Sequence, residues 1–220
     1  MTSARTLKYP AGRIIVFARA PQAGSVKTRL AAAIGAETAA MLYAQLLRLT
    51  VLRAEQAALA PVQLQVTPDI HHPLFDSLAA QGIEIRQQRG ADLGERMANA
   101  LRDALNQSEF AVLIGSDCPA MSVGYLEQAC RSLTDGAEVV LGPAEDGGYV
   151  LLGARHSYEP LFEGISWSTD QVLTETRQRL ALLRCRAVEL DTLWDLDRPE
   201  DLLRWRRGPD RQPDISTPPA

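Results

Sequence analysis

FAVLIGSDCPAM, residues 110–121, is the stretch whose reading decides the fold. Five consecutive apolar residues, 110–114, run into Gly115-Ser116-Asp117, and Cys118-Pro119 follows at once. Proline carries no N–H for a ladder, so a strand here ends before it. An unbroken apolar run of this length suits a central strand buried on both faces. Asp117 then stands at the carboxyl end of that strand, the rim where open α/β sheets bind ligands.

The flanking segments repeat the theme. Residues 13–19 (RIIVFAR), 62–66 (VQLQV), 83–87, 137–141 (AEVVL) and 185–190 read as strands, and 149–152 (YVLL) as a strand running back alongside its neighbour. Between them lie helical patterns. Ala39, Leu42, Leu46 and Leu49 recur over 36–58; 70–81 is a weaker helix; Leu93, Met97, Leu101, Ala104 and Leu105 mark another. Ser122 can cap a helix carrying Leu126, Ala129, Cys130 and Leu133. Ser168-Thr169-Asp170-Gln171 fits a capping box for a helix reaching about Leu183, and Pro199 suits the first turn of a short helix over 198–206. Strands alternating with helices imply βαβ units, hence a single three-layer α/β/α domain with a mainly parallel mixed sheet over 13–206. Residues 1–12 are expected to be a flexible N-terminus, and 207–220, poor in apolar residues, a disordered tail.

Composition narrows the function classes. The chain has 220 residues, enough for one well-buried core, with 46% hydrophobic and 23% charged residues. Its formal net charge of -4 argues against a nucleic-acid binder, which needs a basic surface. Cys118, Cys130 and Cys185 are odd in number and form no CxxC, which points to free thiols in a reducing cytoplasm. No apolar run approaches the roughly 20 residues of a transmembrane segment.

Several stretches can carry chemistry, each beside a plainer use. In the loop after the first strand, residues 20–30, Gly24 allows close backbone approach, amides entering a helix N-terminus favour an anion, and Lys27 and Arg29, on either side of Thr28, supply positive charge for a pyrophosphate. The plainer use is a solvated connection. The spacing is neither Walker A nor GxGxxG. Ser116-Asp117 offers oxygen ligands to a hard ion such as Mg²⁺ or Mn²⁺, although Asp before Pro also simply starts turns. Asp195 and Asp197 face one side of an extended segment and repel without a cation between them, which suits a metal; Asp197 could instead cap the helix begun by Pro199.

Glu145-Asp146-Gly147-Gly148 is a tight-turn signal whose glycine amides could also hold an acceptor. Gln88, Gly90 and Gly94 lie in QRGADLG, where glycines can admit a flat base or form an ordinary strand-to-helix loop. Ser166 and Ser168, around Trp167, could line the acceptor side, with Trp167 equally at home in packing. His71, His72 and His156 have no partner at ligand or triad spacing, and no GxSxG element exists.

FARAPQAGSVKTRLA, QRGADLGERM, LIGSDCPAM, GPAEDGGYVLLG, ISWST and DLDRPEDL, in this order, resemble the GT-A fold of the nucleotide-diphospho-sugar transferase superfamily. Within it the chain is similar to a bacterial family of glycosyltransferases, some associated with arsenosugar biosynthesis. KTRL and the DxD-P-E-D ending also resemble 2-phospholactate guanylyltransferases. By that likeness Asp117, Asp195 and Asp197 would hold divalent metal, and Lys27 and Arg29 would contact phosphates. Gly90 and Gly94 would lie against the base, and Gly147 and Gly148 would face the acceptor.

The expectation is a metal-dependent glycosyltransferase, using Mg²⁺ or Mn²⁺, that moves a sugar from a nucleoside-diphosphate sugar to a small-molecule acceptor. Asp146 is the candidate base by position. The alternative is a nucleotidyltransferase that joins a nucleotidyl group from a nucleoside triphosphate to a phosphorylated acceptor and releases pyrophosphate. A further alternative is a non-catalytic nucleotide-binding module.

Overall fold

The computed structural model of the protein describes residues 6–208. Its elements in chain order are β1 (Gly12–Arg19), α1 (Thr28–Ile34), α2 (Ala36–Gln56), β2 (Val62–Thr67), α3 (Pro73–Ala80), β3 (Glu84–Gln87), α4 (Leu93–Leu105), β4 (Phe110–Gly115) and α5 (Val123–Thr134). There follow β5 (Val139–Pro143), β6 (Tyr149–Ala154), a 3-10 turn (Glu159–Phe162), α6 (Val172–Leu183), β7 (Ala187–Glu189) and α7 (Pro199–Arg207). The seven strands form one sheet in the order β3-β2-β1-β4-β6-β5-β7, parallel except for β6, which runs antiparallel to β4 and β5.

The apolar run in β4 is buried because both of its faces are covered. Val112 and Ile114 pack with α2, α3 and α5, whereas Ala111 and Leu113 pack with α4 and α6 on the other side. β1 divides its residues the same way, Ile14 and Val16 to one face, Ile15 and Phe17 to the other. Each Val, Leu, Ile or Phe among these contributes roughly 1.5–3 kcal/mol of burial free energy. A third cluster joins Leu30 of α1, Leu42 and Leu46 of α2, and Leu196, Leu202 and Trp205 around α7, so the C-terminal segment is part of the core.

β2 and β4 flank β1 on opposite sides, so their connections leave β1 in opposite directions. That switch point opens a crevice at the carboxyl ends of the strands. β5 ends and β6 begins at the same rim, which brings the 144–148 hairpin to it.

Most expected elements are present, several with shifted ends. α3 begins at Pro73, where His72 Nδ1 accepts from Leu74 N at 3.2 Å. β5 runs two residues further than expected, to Pro143, and β7 is only three residues long. The capping box expected at residues 168–171 does not form. Thr169 Oγ1 donates to Ser166 O (2.7 Å) and accepts from Gln171 N (3.2 Å), closing a local turn, and Ser168 takes φ 67. α6 therefore starts at Val172 with no side-chain cap.

Within the segment expected to be flexible, Lys8 N and Tyr9 N donate to Ala58 O and Leu59 O. Lys8 also pairs with Glu127. Residues 1–5, and the expected tail from 209 onward, lie outside the described residues. No helix among the described residues is long and apolar enough to cross a membrane.

Candidate functional site

β1 leads into the 20–27 loop, whose last residue, Lys27, precedes α1 in a left-handed conformation at φ 49. For a residue with a Cβ this costs on the order of 1–2 kcal/mol, and it is tolerated where the side chain is held. Lys27 Nζ lies 2.6 Å from Asp117 Oδ2, just beyond β4, and 3.9 Å from Asp197 Oδ1. Its side chain is only 4% exposed. Arg29, the second residue of α1, donates to Asp197 Oδ2 at 2.9 Å.

Residues 195–197 are fixed against this rim by their backbone. Leu196 N donates to Asp117 O at 2.9 Å, and the Leu196 side chain is fully buried in the third cluster. Asp201 Oδ2 accepts from Asp197 N and Arg198 N (3.0 and 2.7 Å) at the start of α7. The Asp197 carboxylate is thereby released from capping, and it faces Lys27 and Arg29 instead. Three aspartates 80 positions apart along the chain are thus brought to one place by β4 and the segment before α7.

The charges act strongly on one another. Burial opposes the Lys27 ammonium, but Asp117, and after it Asp197 and Asp195, outweigh burial and hold its pKa above the usual value. Asp195 is pushed up to about 6, first by burial and then by Asp117 and Asp146, with Lys27 pulling the other way. Burial, with Asp117 beside it, pushes the Cys118 thiol up to about 12, which leaves it unreactive at neutral pH. Four carboxylates (Asp117, Asp146, Asp195, Asp197) share this corner with two cations, Lys27 and Arg29.

A cleft of about 1250 Å³ opens on this corner. It is lined by Lys27, Thr28, Arg29, Gln88, Ser116, Asp117, Asp146, Gly147, Gly148, Ser168 and Asp197 among the residues expected from sequence. Gln88 Nε2 is spent on Ala18 O and Gln65 O (3.0 and 2.9 Å), which leaves Oε1 to offer a ligand.

The remaining expected residues stand off the cleft wall. Asp195, half-buried, is coupled to Asp117 electrostatically. Gly24 is exposed in the loop at φ 78. Gly94 does not lie against an open base site, because the Trp167 indole packs on it; a Cβ there would meet Nε1 at 2.6 Å. Gly90 serves the start of α4, where a Cβ would come within 2.7 Å of Arg96 N. Ser166 is engaged through N and Oγ by the Glu175 carboxylate (2.6 and 2.9 Å).

The amides expected to be exposed at Gly147 and Gly148 are also engaged. Gly147 N donates to Ala144 O (3.2 Å), and Gly148 N to Asp146 Oδ1 (2.9 Å). Nor do the aspartates form a ready metal cage. Among the described residues no group of three His, Cys, Asp or Glu side chains stands close enough to hold a metal ion. The Lys27 ammonium sits between Asp117 and Asp197 instead.

Three residues unforeseen from sequence belong to the site. Tyr43 of α2 is buried, accepts from Arg19 N at 2.9 Å and shares a hydrogen bond with Ser116 Oγ at 2.8 Å, and Lys27 Nζ lies 6.0 Å from its ring centroid. It thereby ties the ends of β1 and β4 together beneath Lys27. Its position in the run of α2 core residues disguises it. Arg19 and Arg96 also line the cleft. Arg96 carried a signal, since a basic residue near the start of a helix opposes the helix dipole.

Comparison with known proteins follows the same outline. Residues 50–169 match the family described as "Uncharacterized protein conserved in bacteria (DUF2064)". The chain is 31% identical over 189 residues to 3-phospho-D-glycerate guanylyltransferase of Phenylobacterium zucineum (strain HLK1), covering 83% of this chain and 85% of that protein. The crystal structure of a candidate nucleotide-diphospho-sugar transferase from Desulfovibrio desulfuricans G20 superposes with a TM-score of 0.82 at 30% identity, over 90% of this chain and 87% of that one. A 4-diphosphocytidyl-2C-methyl-D-erythritol synthase from Anaerococcus prevotii DSM 20548 shares the fold, with a TM-score of 0.57 at 13% identity over 88% and 96% of the two chains.

Proposed function

We infer, since this chain belongs to the bacterial DUF2064 family and is a transferase with the nucleotide-diphospho-sugar transferase fold, that it transfers a nucleotidyl group from a nucleoside triphosphate to a phosphorylated small acceptor. The observation that carries this reading is the buried Lys27 ammonium, held by Asp117 beside Arg29 at the crevice between β1 and β4. A polyphosphate placed there meets fixed positive charge, and phosphoryl-type chemistry asks the protein for little beyond positioning and charge neutralisation. The likeness to a guanylyltransferase makes GTP the first donor to test, and 3-phospho-D-glycerate the first acceptor.

In this reaction an acceptor phosphate oxygen attacks the α-phosphorus of the triphosphate. A P–O bond forms, the bond from the α-phosphorus to the oxygen bridging the β-phosphorus breaks, and pyrophosphate leaves with the electron pair. The nucleophile is already an anion, so no base is needed. Asp146 then serves the hairpin, through Gly148 N, rather than proton transfer. Lys27 and Arg29 oppose the charge that develops on the leaving pyrophosphate.

The donor set suits a hard divalent cation, because all four acids are carboxylates and outnumber the two cations. Mg²⁺ or Mn²⁺ would be held by Asp117 with Asp195 or Asp197, and would supply further neutralisation of the phosphates. Cys118, Cys130 and Cys185 are free thiols, which supports a cytoplasmic setting.

Sugar transfer, the first expectation from sequence, becomes the second reading. The 30% likeness to the D. desulfuricans protein favours it, whereas the guanylyltransferase relative favours nucleotidyl transfer. The non-catalytic alternative is set aside by membership among transferases. Incubation with Mg²⁺ or Mn²⁺, GTP and 3-phospho-D-glycerate should release pyrophosphate. Release of nucleoside diphosphate from nucleotide sugars, with no pyrophosphate from any triphosphate, would overturn the assignment in favour of glycosyl transfer.

A further inference from the structure

Five basic side chains stand on the cleft wall, and among the described residues they are of two kinds. Lys27, Arg29 and Arg198 each have a carboxylate partner, and Arg19 and Arg96 have none. Arg19 is exposed at the end of β1, beside Thr67 of β2. Arg96 is half-buried, and its Nε donates to Gly90 O at 3.1 Å. That bond anchors the guanidinium while leaving both terminal nitrogens, with their four N–H donors in a fixed plane, unused. A planar fork held in this way is matched to a carboxylate, which it can take through two parallel hydrogen bonds. The arrangement works against α4 itself, since Arg96 lies near the positive end of the helix dipole.

Position indicates which part of a substrate would reach it. α4 packs beneath β4 and β6, through Met97 and Leu101 against Leu113 and Leu152, and Trp167 closes over Gly94 at its start. Lys27 immediately precedes α1 and Arg29 lies within it, and Leu30 of α1 packs with α2 and α7 in a different cluster. The two cationic centres therefore come from different layers of the fold, and one substrate with two separated anionic groups can use both.

We propose that Arg96 is a specificity-determining residue that binds the carboxylate of a phosphorylated acid while the acid's phosphate attacks at the Lys27 end of the cleft. The identity of the attacking group rests on the nucleotidyl-transfer reading above; the role of Arg96 as a carboxylate receptor does not. The geometry also explains the glycine at position 90. Its carbonyl sets the guanidinium, and its missing Cβ lets the start of α4 approach.

The test compares the full-length parent with Arg96→Gln and Arg96→Lys. The acceptors are 3-phospho-D-glycerate and glycerol 3-phosphate, which share the phosphate and differ in the carboxylate, and pyrophosphate release is followed with GTP and Mg²⁺. The parent should prefer the acid in kcat/KM by at least about tenfold, the scale of one charge-assisted hydrogen-bonded contact. Arg96→Gln should abolish that preference with its KM for GTP within twofold of the parent, and Arg96→Lys should recover part of it. An Arg96→Gln protein that keeps the preference, or loses it together with GTP affinity, overturns the proposal. If the parent releases no pyrophosphate with either acceptor, nucleotidyl transfer fails and calorimetry decides the role of Arg96. Weaker binding of 3-phospho-D-glycerate by Arg96→Gln, with glycerol 3-phosphate unaffected, supports it. Equal binding by both proteins, or no binding of the acid to the parent, refutes it.

Discussion

Asp195→Asn should stabilise the ligand-free protein at pH 8 and do nothing for it at pH 3.5. In the fold the carboxyl titrates at about 6 against an ordinary 3.8, because burial and the neighbouring Asp117 and Asp146 disfavour its charge. A shift of that size corresponds to about 3 kcal/mol at most. Part of the carboxyl still meets solvent, and screening reduces the expected gain to about 1–2 kcal/mol. The sign follows from proton binding. Between pH 3.8 and 6 the folded state holds this proton and the unfolded chain releases it, so the group's contribution is intact below 3.8 and lost as pH rises through 6. Asparagine cannot ionise, so the variant escapes the loss.

Urea unfolding of parent and variant across this range, in chelator, measures the difference directly. At pH 8 the midpoint in a thermal scan should rise by roughly 2–6 °C for a chain of this size. Mg²⁺ with GTP should reverse the order where Asp195, and not Asp197, joins Asp117 on the cation. A variant that is no more stable than the parent at pH 8, or a difference that does not change with pH, would show that Asp195 is not held among like charges.

Lys27→Met should cost about 1–3 kcal/mol in urea unfolding at pH 8, because it leaves the partly exposed Asp117 and Asp197 without their counter-charge. It should also lower kcat for pyrophosphate release about 100-fold or more. Loss confined to KM would place Lys27 outside the reacting phosphates. Tyr43→Phe removes the phenol that bridges Arg19 N and Ser116 Oγ, and should lower stability by about 1–3 kcal/mol with the fold retained by circular dichroism. Gly94→Ala drives a methyl into the Trp167 indole. It should cost about 1–3 kcal/mol and change Trp167 fluorescence, whereas a neutral result would mean the indole does not rest on α4.

The central sheet was legible because its signals are local. The five apolar residues of β4 and the stop at Pro119 sit next to each other in the chain, and period-two burial on both faces of β1 and β4 needs no distant information. The capping box at 168–171 failed because a competing local turn takes its side chains. Thr169 Oγ1 is taken by Ser166 O, while Glu175, which lies within α6, turns back to hold Ser166. Gly90 and Gly94 were legible as positions needing glycine, and within this chain what approaches them is the start of α4 and the Trp167 indole. The second of these is a contact 73 positions away, beyond the reach of any local pattern.

The gathering of Asp117 with Asp195 and Asp197 followed from motif order alone, yet what lies between them did not. Spacing suggested carboxylates waiting for a metal, and folding places a lysine there. The substitution has a physical logic. Several buried carboxylates brought together without a cation would each be driven toward protonation, as Asp195 already is. A lysine carried on the adjoining loop neutralises part of that charge in the folded chain itself, so Asp117 and Asp197 keep their positions in the absence of any ligand. The left-handed backbone at Lys27 is the cost of aiming the side chain inward from a residue that must also start α1. A triphosphate arriving at this crevice then meets an ammonium whose position is already set by two carboxylates, and little reorganisation is left for the moment of transfer.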